Sequence, residues 1–382
     1  MKIVYCLPQI YKPGGIERIV SIKANYLVEH GYDVSLIFAN QKNKPSFYPL
    51  SNLIKLYDLQ VDYDSTLELP ILKRILKKQT LKKVHRKRLE KLLFQLKADI
   101  VISTFTHEAE FLPSIKDGSK KILEFHFCRK HKKMMADAFH FSFLTRIAYY
   151  CKSWIEENVV IPRFDQFVVL TEEDKSLWKN KIKNIISIPN IAPKNVEKLS
   201  SLTSNHIIAV GRLDAQKGFD RLINNWKYII EDNQDWVLDI YGSGPDEALL
   251  RKQILELGLE KSVIIHSPSL NIYEKYKESS ILLMTSRYEG WGLVLSEAMS
   301  YGLPVIAYGC KCGPKDIITD SMDGFCINDG DAHNFIEKTK LLMNNRDMRR
   351  KFGNAASKNI QRYSLHEVMN KWDELFNEII RV

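Results

Sequence analysis

The sequence HIIAVGRLDAQKG, residues 206–218, contains one complete transition from a strand to a loop. Its first five residues are rich in isoleucine and valine, which is typical of a strand buried on both faces, and a loop bracketed by two glycines follows. Runs of this kind alternate with segments of helical length along the chain. The alternation predicts the α/β class with parallel sheets.

The predicted strands form two series. The first comprises residues 2–7, 34–38, 99–102, 121–125, 166–170 and 185–188, and the second comprises 206–210, 236–240, 263–266, 281–285 and 304–308. Two series imply two doubly wound, Rossmann-like domains. A segment rich in Pro, Asn, Lys and Ser separates them, so we expect domains at residues 1–193 and 204–364. The helical segment 365–382 is expected to pack back onto the first domain.

Composition restricts the class of protein. The chain has 382 residues, of which 45% are hydrophobic, enough for two domains with separate cores. No apolar run approaches the ~18 residues that span a bilayer, and no secretory signal is recognisable, so a cytoplasmic protein is expected. The six cysteines are scattered and fit neither a zinc site nor a redox pair. We interpret them as reduced and structural.

The formal net charge of +10 is concentrated in one segment. Residues 71–97 contain eleven Lys or Arg and one acidic residue, with apolar residues at helical spacing, which predicts a basic amphipathic helix. A second basic run starts at residue 129 and is followed by aromatic residues. Together, segments 71–97 and 129–144 suit an anionic membrane surface, and we expect peripheral binding there. A solvated helix face is the alternative.

Arg212 and Lys217 follow the strand at 206–210. Ligands of open α/β sheets bind at the carboxyl ends of the strands, so both side chains are candidate ligand contacts. A planar guanidinium and a mobile ammonium suit two neighbouring phosphates. Two surface cations in an ordinary loop are the alternative.

Gly14 and Gly15 occupy the turn after the first strand, where a helix begins. Adjacent glycines at a helix start let a phosphate approach the backbone and the positive end of the helix. Their spacing is not that of the dinucleotide-binding fingerprint, and a plain tight turn is the alternative.

The stretch EGWGLVLSE, residues 289–297, places two carboxylates around a glycine-rich turn. Carboxylates accept hydrogen bonds from neighbouring hydroxyls, so Glu289 can bind a hexose and Glu297 a ribose. The N–H groups of Gly292 and Leu293 would then point at a diphosphate. Two acids at this spacing are more often solvated, but together with the basic pair they predict a nucleotide-sugar site.

These motifs resemble those of retaining glycosyltransferases of the GT-B fold, in the family 4 group that includes bacterial capsule, lipopolysaccharide and protein-glycan enzymes. The resemblance implies two Rossmann-like domains facing an interdomain cleft, the first handling the acceptor and the second binding the nucleotide sugar. The matching positions are residues 14–18, His126, and residues 189–190, 211–218 and 289–305.

Carried over position by position, the resemblance implies a role for each motif residue. Arg212 and Lys217 would bind the donor diphosphate and offset the charge of the leaving group. Glu297 would hold the ribose hydroxyls and Glu289 the hydroxyls of the transferred sugar. His126, after the strand at 121–125, would contact the sugar near the reacting carbon.

The resemblance also implies the reaction. A hexose or N-acetylhexosamine would pass from a UDP-sugar to a lipid-linked or glycan acceptor during cell-surface polysaccharide assembly, at the cytoplasmic face of the inner membrane. Segment 310–318 is similar to members that use UDP-linked galactose, N-acetylgalactosamine or glucose. Gly15 would let the first domain close against the phosphates. Catalysis would rest on positioning and electrostatic stabilisation, so no metal or cofactor is expected.

Three other interpretations compete with this one. Asp62-Tyr63-Asp64 has the form with which transferases of another fold hold a divalent cation, but it lies far in sequence from the nucleotide motifs. A sugar-nucleotide 2-epimerase of the same fold would act on UDP-N-acetylglucosamine without an acceptor. The basic composition also suits a nucleic-acid-binding protein, but no zinc finger or RNA-binding pattern accompanies it, so no nucleic-acid partner is expected.

Overall fold

The computed structural model describes residues 1–139, 141–193, 199–269 and 271–381. Within them, the chain forms one sheet of seven strands and one of six. The strands of the first sheet are β1 (Lys2–Leu7), β2 (Asp33–Phe38), β3 (Lys55–Asp58), β4 (Ile100–Ser103), β5 (Lys120–Glu124), β6 (Gln166–Val169) and β7 (Ile185–Ser187). Those of the second are β8 (His206–Val210), β9 (Val237–Tyr241), β10 (Val263–His266), β11 (Ile281–Met284), β12 (Val305–Tyr308) and β13 (Gly324–Ile327).

Both sheets are parallel and share one topology. The order is β3-β2-β1-β4-β5-β6-β7 in the first and β10-β9-β8-β11-β12-β13 in the second. Val4 of β1 pairs with Val101 of β4, and Ile208 of β8 pairs with Leu282 of β11. The strand order reverses at these two pairs, and ligands bind at the carboxyl ends of strands beside such a reversal. The predicted α/β class with two Rossmann-like sheets is confirmed.

The α-helices connect and cover the strands. They are α1 (Gly15–Glu29), α2 (Ile71–Leu96), α3 (His131–Ala138), α4 (Phe143–Ile155), α5 (Glu172–Trp178), α6 (Phe219–Ile230), α7 (Glu247–Glu256), α8 (Ile272–Glu278), α9 (Leu293–Ser300), α10 (Pro314–Ile317), α11 (Ala332–Asn344), α12 (Arg346–Asn359) and α13 (Leu365–Arg381). None of the described helices combines the length and apolar content required to cross a bilayer.

Strand β1 shows why the sheet is buried on both faces. Ile3, Tyr5 and Leu7 belong to the core on one face, and Val4 and Cys6 to the core on the other. Successive side chains of a strand point to opposite faces, so a continuous apolar run fills two cores at once.

Helix α13 lies against the first sheet, although it follows the second in the chain. Trp372 and Phe376 are buried in the same core as Tyr5 and Leu36. This is the packing expected of segment 365–382, whose last residue, Val382, lies outside the described residues. The domain bounds themselves stay a prediction, since the segment joining the two sheets includes residues 194–198, which are not described.

Two strands were missing from the sequence-based prediction, and both lie at sheet edges. Strand β3 leaves Lys55 and Leu56 exposed, so it lacks the apolar pattern of a buried strand. Strand β13 begins at Gly324, where a Cβ atom would lie 2.4 Å from the carbonyl oxygen of Val305. The close approach requires glycine, which a sequence pattern associates with turns instead.

The helix predicted at 71–97 is present as α2, but only its second half is packed. His85, Leu89 and Leu93 are buried against the first sheet. The apolar side chains of its first turns remain exposed.

Candidate active site

A cavity of about 630 Å³ lies between the carboxyl ends of the two sheets. Its walls include the turns after β1, β5, β8, β9, β10 and β11. The nine residues predicted from the sequence all line it: Gly14, Gly15, His126, Arg212, Lys217, Glu289, Gly292, Leu293 and Glu297. The topology thus brings together positions up to 283 residues apart, which is the separation of Gly14 and Glu297.

Two helices begin at the cavity, one from each sheet. Helix α1 starts at Gly15 and α9 at Leu293, and a Cβ atom on Gly15 would lie only 3.0 Å from Leu293 Cδ1. Gly292, which precedes α9, has φ of +95°, a conformation that favours glycine. The first N–H groups of a helix carry partial positive charge, so these helix starts make the cavity suitable for an anion.

Lys217 and Glu289 meet on one wall. The ammonium donates to Glu289 Oε1 at 2.7 Å, and the side chain of Lys217 is one-fifth exposed. Its aliphatic carbons pass close to Gly211, where a Cβ atom would lie 3.1 Å from Lys217 Cγ. Gly218, next in the chain, adopts φ of +65° and lies against the carbonyl oxygen of Thr285. Glycines on both sides thus hold the lysine close to the sheet and aimed at the carboxylate.

Arg212 is the most exposed of the charged cavity residues, with 65% of its side chain accessible. Its Nε donates to the carboxylate of Asp214, which is buried and also accepts from the backbone N–H of Gln216 at 3.1 Å. Asp214 therefore fixes the loop after β8 and the base of the guanidinium.

Glu297 joins the two sheets. Arg18 of α1 donates to Glu297 Oε1, and the hydroxyl of Tyr276 donates to Oε2 at 2.7 Å. Arg18 also donates to the hydroxyl of Tyr273 at 3.1 Å. Burial and then the adjacent Glu297 carboxylate raise the pKa of Tyr276. Sequence reasoning assigned no role to Arg18, Tyr273 or Tyr276, although Arg18 lies within the matched segment 14–18.

His126 lines the cavity, and its side chain is almost fully buried although its backbone is not. Its Nε2 is 3.2 Å from Glu124 Oε1, an ion-pair distance. Glu124 in turn accepts from the buried ammonium of Lys23. The backbone at His126 touches the second sheet's loop, because a Cβ atom on Gly290 would lie 2.0 Å from the His126 carbonyl oxygen.

A further wall was absent from the sequence prediction. Tyr241 is the last residue of β9, Gly242 and Ser243 follow it, and Pro268 follows β10. The Tyr241 ring stacks on His266 with centroids 4.5 Å apart. These residues lie at the carboxyl ends of strands, so the rule that located the basic pair could also have located them.

The Asp62-Tyr63-Asp64 segment lies outside the lining of this cavity. Asp64 accepts from Lys42 Nζ at 2.9 Å, and Asp62 lies 3.9 Å from the same ammonium. Among the residues that the structure describes, no group of three or more His, Cys, Asp or Glu is arranged to hold a metal ion.

Comparisons with known proteins agree with this architecture. A family model described as glycosyl transferases group 1 matches residues 190–359. An uncharacterized glycosyltransferase of Haemophilus influenzae is 30% identical over 381 residues, 97% of this chain and 98% of its own. The amylovoran biosynthesis glycosyltransferase AmsD of Erwinia amylovora is 36% identical over 222 residues, 56% of this chain and 62% of its own.

The fold is also that of solved structures. A mutant of S. aureus TarM, crystallised with Fondaparinux, alpha-GlcNAc-glycerol and UDP, superimposes with a TM-score of 0.74, covering 99% of this chain and 100% of its own at 17% identity. Identity this low supports the fold alone. The relationship to the Haemophilus influenzae protein extends over almost the whole chain, and with the matched family model it shows that this chain belongs to the glycosyl transferases group 1 family, with the GT-B fold.

Proposed function

We propose that the chain moves a hexose or N-acetylhexosamine from a UDP-sugar to a lipid-linked or glycan acceptor, with retention at the reacting carbon, in cell-surface polysaccharide assembly. The observation that carries the proposal is the convergence of two helix N-termini, two cations and two carboxylates on one cavity. The name of the Erwinia amylovora relative and the UDP crystallised with TarM support the process and the nucleotide.

The diphosphate would lie between the starts of α1 and α9. Backbone N–H groups at both helix starts can donate to phosphate oxygens, and Arg212 and Lys217 add two full positive charges. These groups are in place before the reaction, so they stabilise the leaving diphosphate without reorganisation. We therefore propose a donor site that needs neither a metal ion nor a cofactor.

The two carboxylates would bind the sugars on either side of the diphosphate. Glu297, oriented by Arg18 and Tyr276, is proposed to hold the ribose hydroxyls. Glu289 is proposed to hold hydroxyls of the transferred sugar, with its ion pair to Lys217 fixing the carboxylate beside the phosphate contact. The wall after β9, with Tyr241, would then contact the base.

Attack by the acceptor is proposed on the same face of the sugar from which the diphosphate departs. In this scheme, His126 lies near the reacting carbon, and the rate comes from positioning and from stabilising the departing charge. Transfer to an acceptor agrees with the matched family better than a 2-epimerase or a nucleic-acid-binding protein does. The lipid-linked nature of the acceptor and the position at the cytoplasmic face of the inner membrane stay predictions.

A panel of UDP-sugars, read by nucleotide release with and without candidate acceptors, tests the proposal. We expect acceptor-dependent release of UDP, and Lys217→Ala should lower turnover at least about a hundredfold, as for loss of one oxyanion donor. Lys252→Ala is the matched control, because this lysine of α7 is exposed and outside the cavity. Near-normal turnover of Lys217→Ala, or acceptor-independent conversion of the donor, would refute the assignment.

A further inference from the structure

Helix α4 exposes an apolar surface that the fold does not cover. None of its thirteen described residues is buried. Phe143 and Leu144 are 76% and 77% exposed, and Trp154 is 62% exposed. Ile147, Tyr150 and Ile155 on the same helix are also exposed. Single exposed apolar residues are ordinary, but six on one helix indicate a partner surface.

The first two turns of α2 repeat the pattern. Ile71, Leu72, Ile75 and Leu76 are each between 53% and 74% exposed. They alternate with Lys73, Arg74, Lys77 and Lys78, so apolar and basic side chains are interleaved on the same short segment. Long basic side chains beside apolar ones are typical of helices that lie in a membrane interface.

The short turn His107–Glu110 links the two helices, because it contacts α2 and also Glu156–Val160, the direct continuation of α4. Lys82 of α2 pairs with Glu110 of that turn. Burial lowers the pKa of Lys78 and Lys82 of α2, and the second cause is the positive charge of Lys152 of α4. Lys152 therefore lies close to both lysines. Like charges concentrated in this way favour a ligand that carries negative charge.

The basic run at 129–133 contributes less to this surface than its sequence suggests. Arg129 pairs with Glu157 at 3.1 Å, and Lys132 pairs with Glu156, with less than one-fifth of either basic side chain exposed. These two cations are held within the fold. The surface predicted from 129–144 therefore shifts toward α4, and residue 140 within that range lies outside the described residues.

We propose that α4 and the first two turns of α2, residues 71–78 and 143–155, form a docking face for an anionic lipid bilayer. Apolar side chains would enter the acyl region while the surrounding lysines and arginines meet anionic headgroups. Trp154 and Tyr150 supply the amphipathic rings that favour this boundary. A second copy fits less well, because a two-fold contact would set the same cluster of lysines against itself. The proposal does not depend on the transferase assignment.

Flotation of the full chain with vesicles tests the proposal. We expect it to bind vesicles of phosphatidylcholine with phosphatidylglycerol, but not phosphatidylcholine alone, and to be released at high salt because screening weakens headgroup attraction. Replacing Phe143, Leu144 and Trp154 together with Ser should weaken binding at least about tenfold, and Lys73→Glu with Lys77→Glu should act similarly.

Matched controls separate the face from general effects. Leu249→Ser with Leu255→Ser changes residues that are 67% and 64% exposed on α7, and Lys227→Glu reverses an exposed charge on α6. We expect these variants to bind vesicles normally. Melting temperatures close to that of the unmodified chain, and an unchanged thermal shift with UDP, would show that the docking variants are folded with an intact donor site.

Three outcomes would overturn the proposal. These are failure of the unmodified chain to bind anionic vesicles, equal loss of binding in the α7 and α6 controls, and retained binding by the apolar variant. Light scattering provides a further check, because a dimer abolished by the Phe143, Leu144 and Trp154 changes would assign the face to a second copy.

Discussion

The buried ion pair behind the cavity allows a sharp test of the fold's electrostatics. Lys23 and Glu124 expose 1% and 2% of their side chains, and both carboxylate oxygens lie 2.5 Å from the ammonium. The ring of Trp372, from α13, lies 4.3 Å from the same nitrogen. Lys23→Met keeps the aliphatic volume and removes the charge, so Glu124 retains only His126 as a basic neighbour.

The expected loss of stability follows from the cost of an unpaired buried charge. Breaking a buried pair on one side costs about 3–5 kcal/mol, which corresponds to a fall in melting temperature of roughly 6–20 °C for a domain of about 200 residues. The double variant Lys23→Met with Glu124→Gln carries no unpaired charge. We therefore expect it to recover at least half of the loss, since replacing both partners is much less costly than removing one.

The lowered pKa of Glu124 determines how the stability of the fold changes with pH. Burial alone would raise the pKa of Glu124, but Lys23 and His126 lower it from 4.5 to about 2. A lowered pKa means that the ionised carboxylate stabilises the fold above about pH 4.5, and that this contribution is lost as the pH falls toward 2. Without Lys23 the pKa of Glu124 rises, so protonation relieves the unpaired charge. The deficit of Lys23→Met should thus shrink between pH 7 and pH 4.

Urea denaturation of the unmodified chain and both variants at the two pH values measures these differences. The reasoning fails if Lys23→Met loses less than about 1 kcal/mol, if its deficit is the same at both pH values, or if the double variant is less stable than the single one.

Three further results are expected at the cavity. Gly290→Ala should lower turnover about tenfold or more with little loss of melting temperature. The added Cβ atom would lie 2.0 Å from the His126 carbonyl oxygen and would hold the two halves of the cavity apart. Normal kinetics would contradict this. Arg18→Met should weaken UDP binding about tenfold in calorimetry, because Glu297 loses the cation that orients it. Tighter binding would contradict this and would mean that Arg18 competes with the ribose for Glu297. Nucleotide release should be unchanged by EDTA, since Lys217 and the helix starts meet the diphosphate charge, and a loss reversed by Mg²⁺ would refute the metal-independent scheme.

The candidate cavity could be predicted from the sequence because its residues obey a rule of local position. Arg212 follows the end of β8, Glu289 follows β11, and Gly14 follows β1. In parallel sheets all such positions lie on one edge, so the order of strands and turns places them together before any contact is known. The buried strands could also be predicted, because continuous runs of β-branched residues are typical of parallel strands buried on both faces.

Pairings across the cleft could not be read in this way. In the sequence, Gly290 looks like an ordinary loop glycine. A glycine is required there because the carbonyl oxygen of His126, in the other half of the chain, leaves no room for a Cβ atom. Likewise, Glu297 was recognisable as a carboxylate facing a ligand, but not as the partner of Arg18, 279 residues earlier. Local patterns predict which residues reach an edge of a sheet, and only packing decides which of them meet.

The same distinction explains helix α2. Its charge run is uniform along the sequence, but Leu89 and Leu93 are fully buried whereas Leu72 and Leu76 are not. Helical spacing of leucines predicts a face without saying how much of that face the protein itself covers. Because α4 is exposed nearby, two unrelated stretches of sequence become one surface, and this is why we assign the docking face to 71–78 and 143–155 instead of to the whole basic segment.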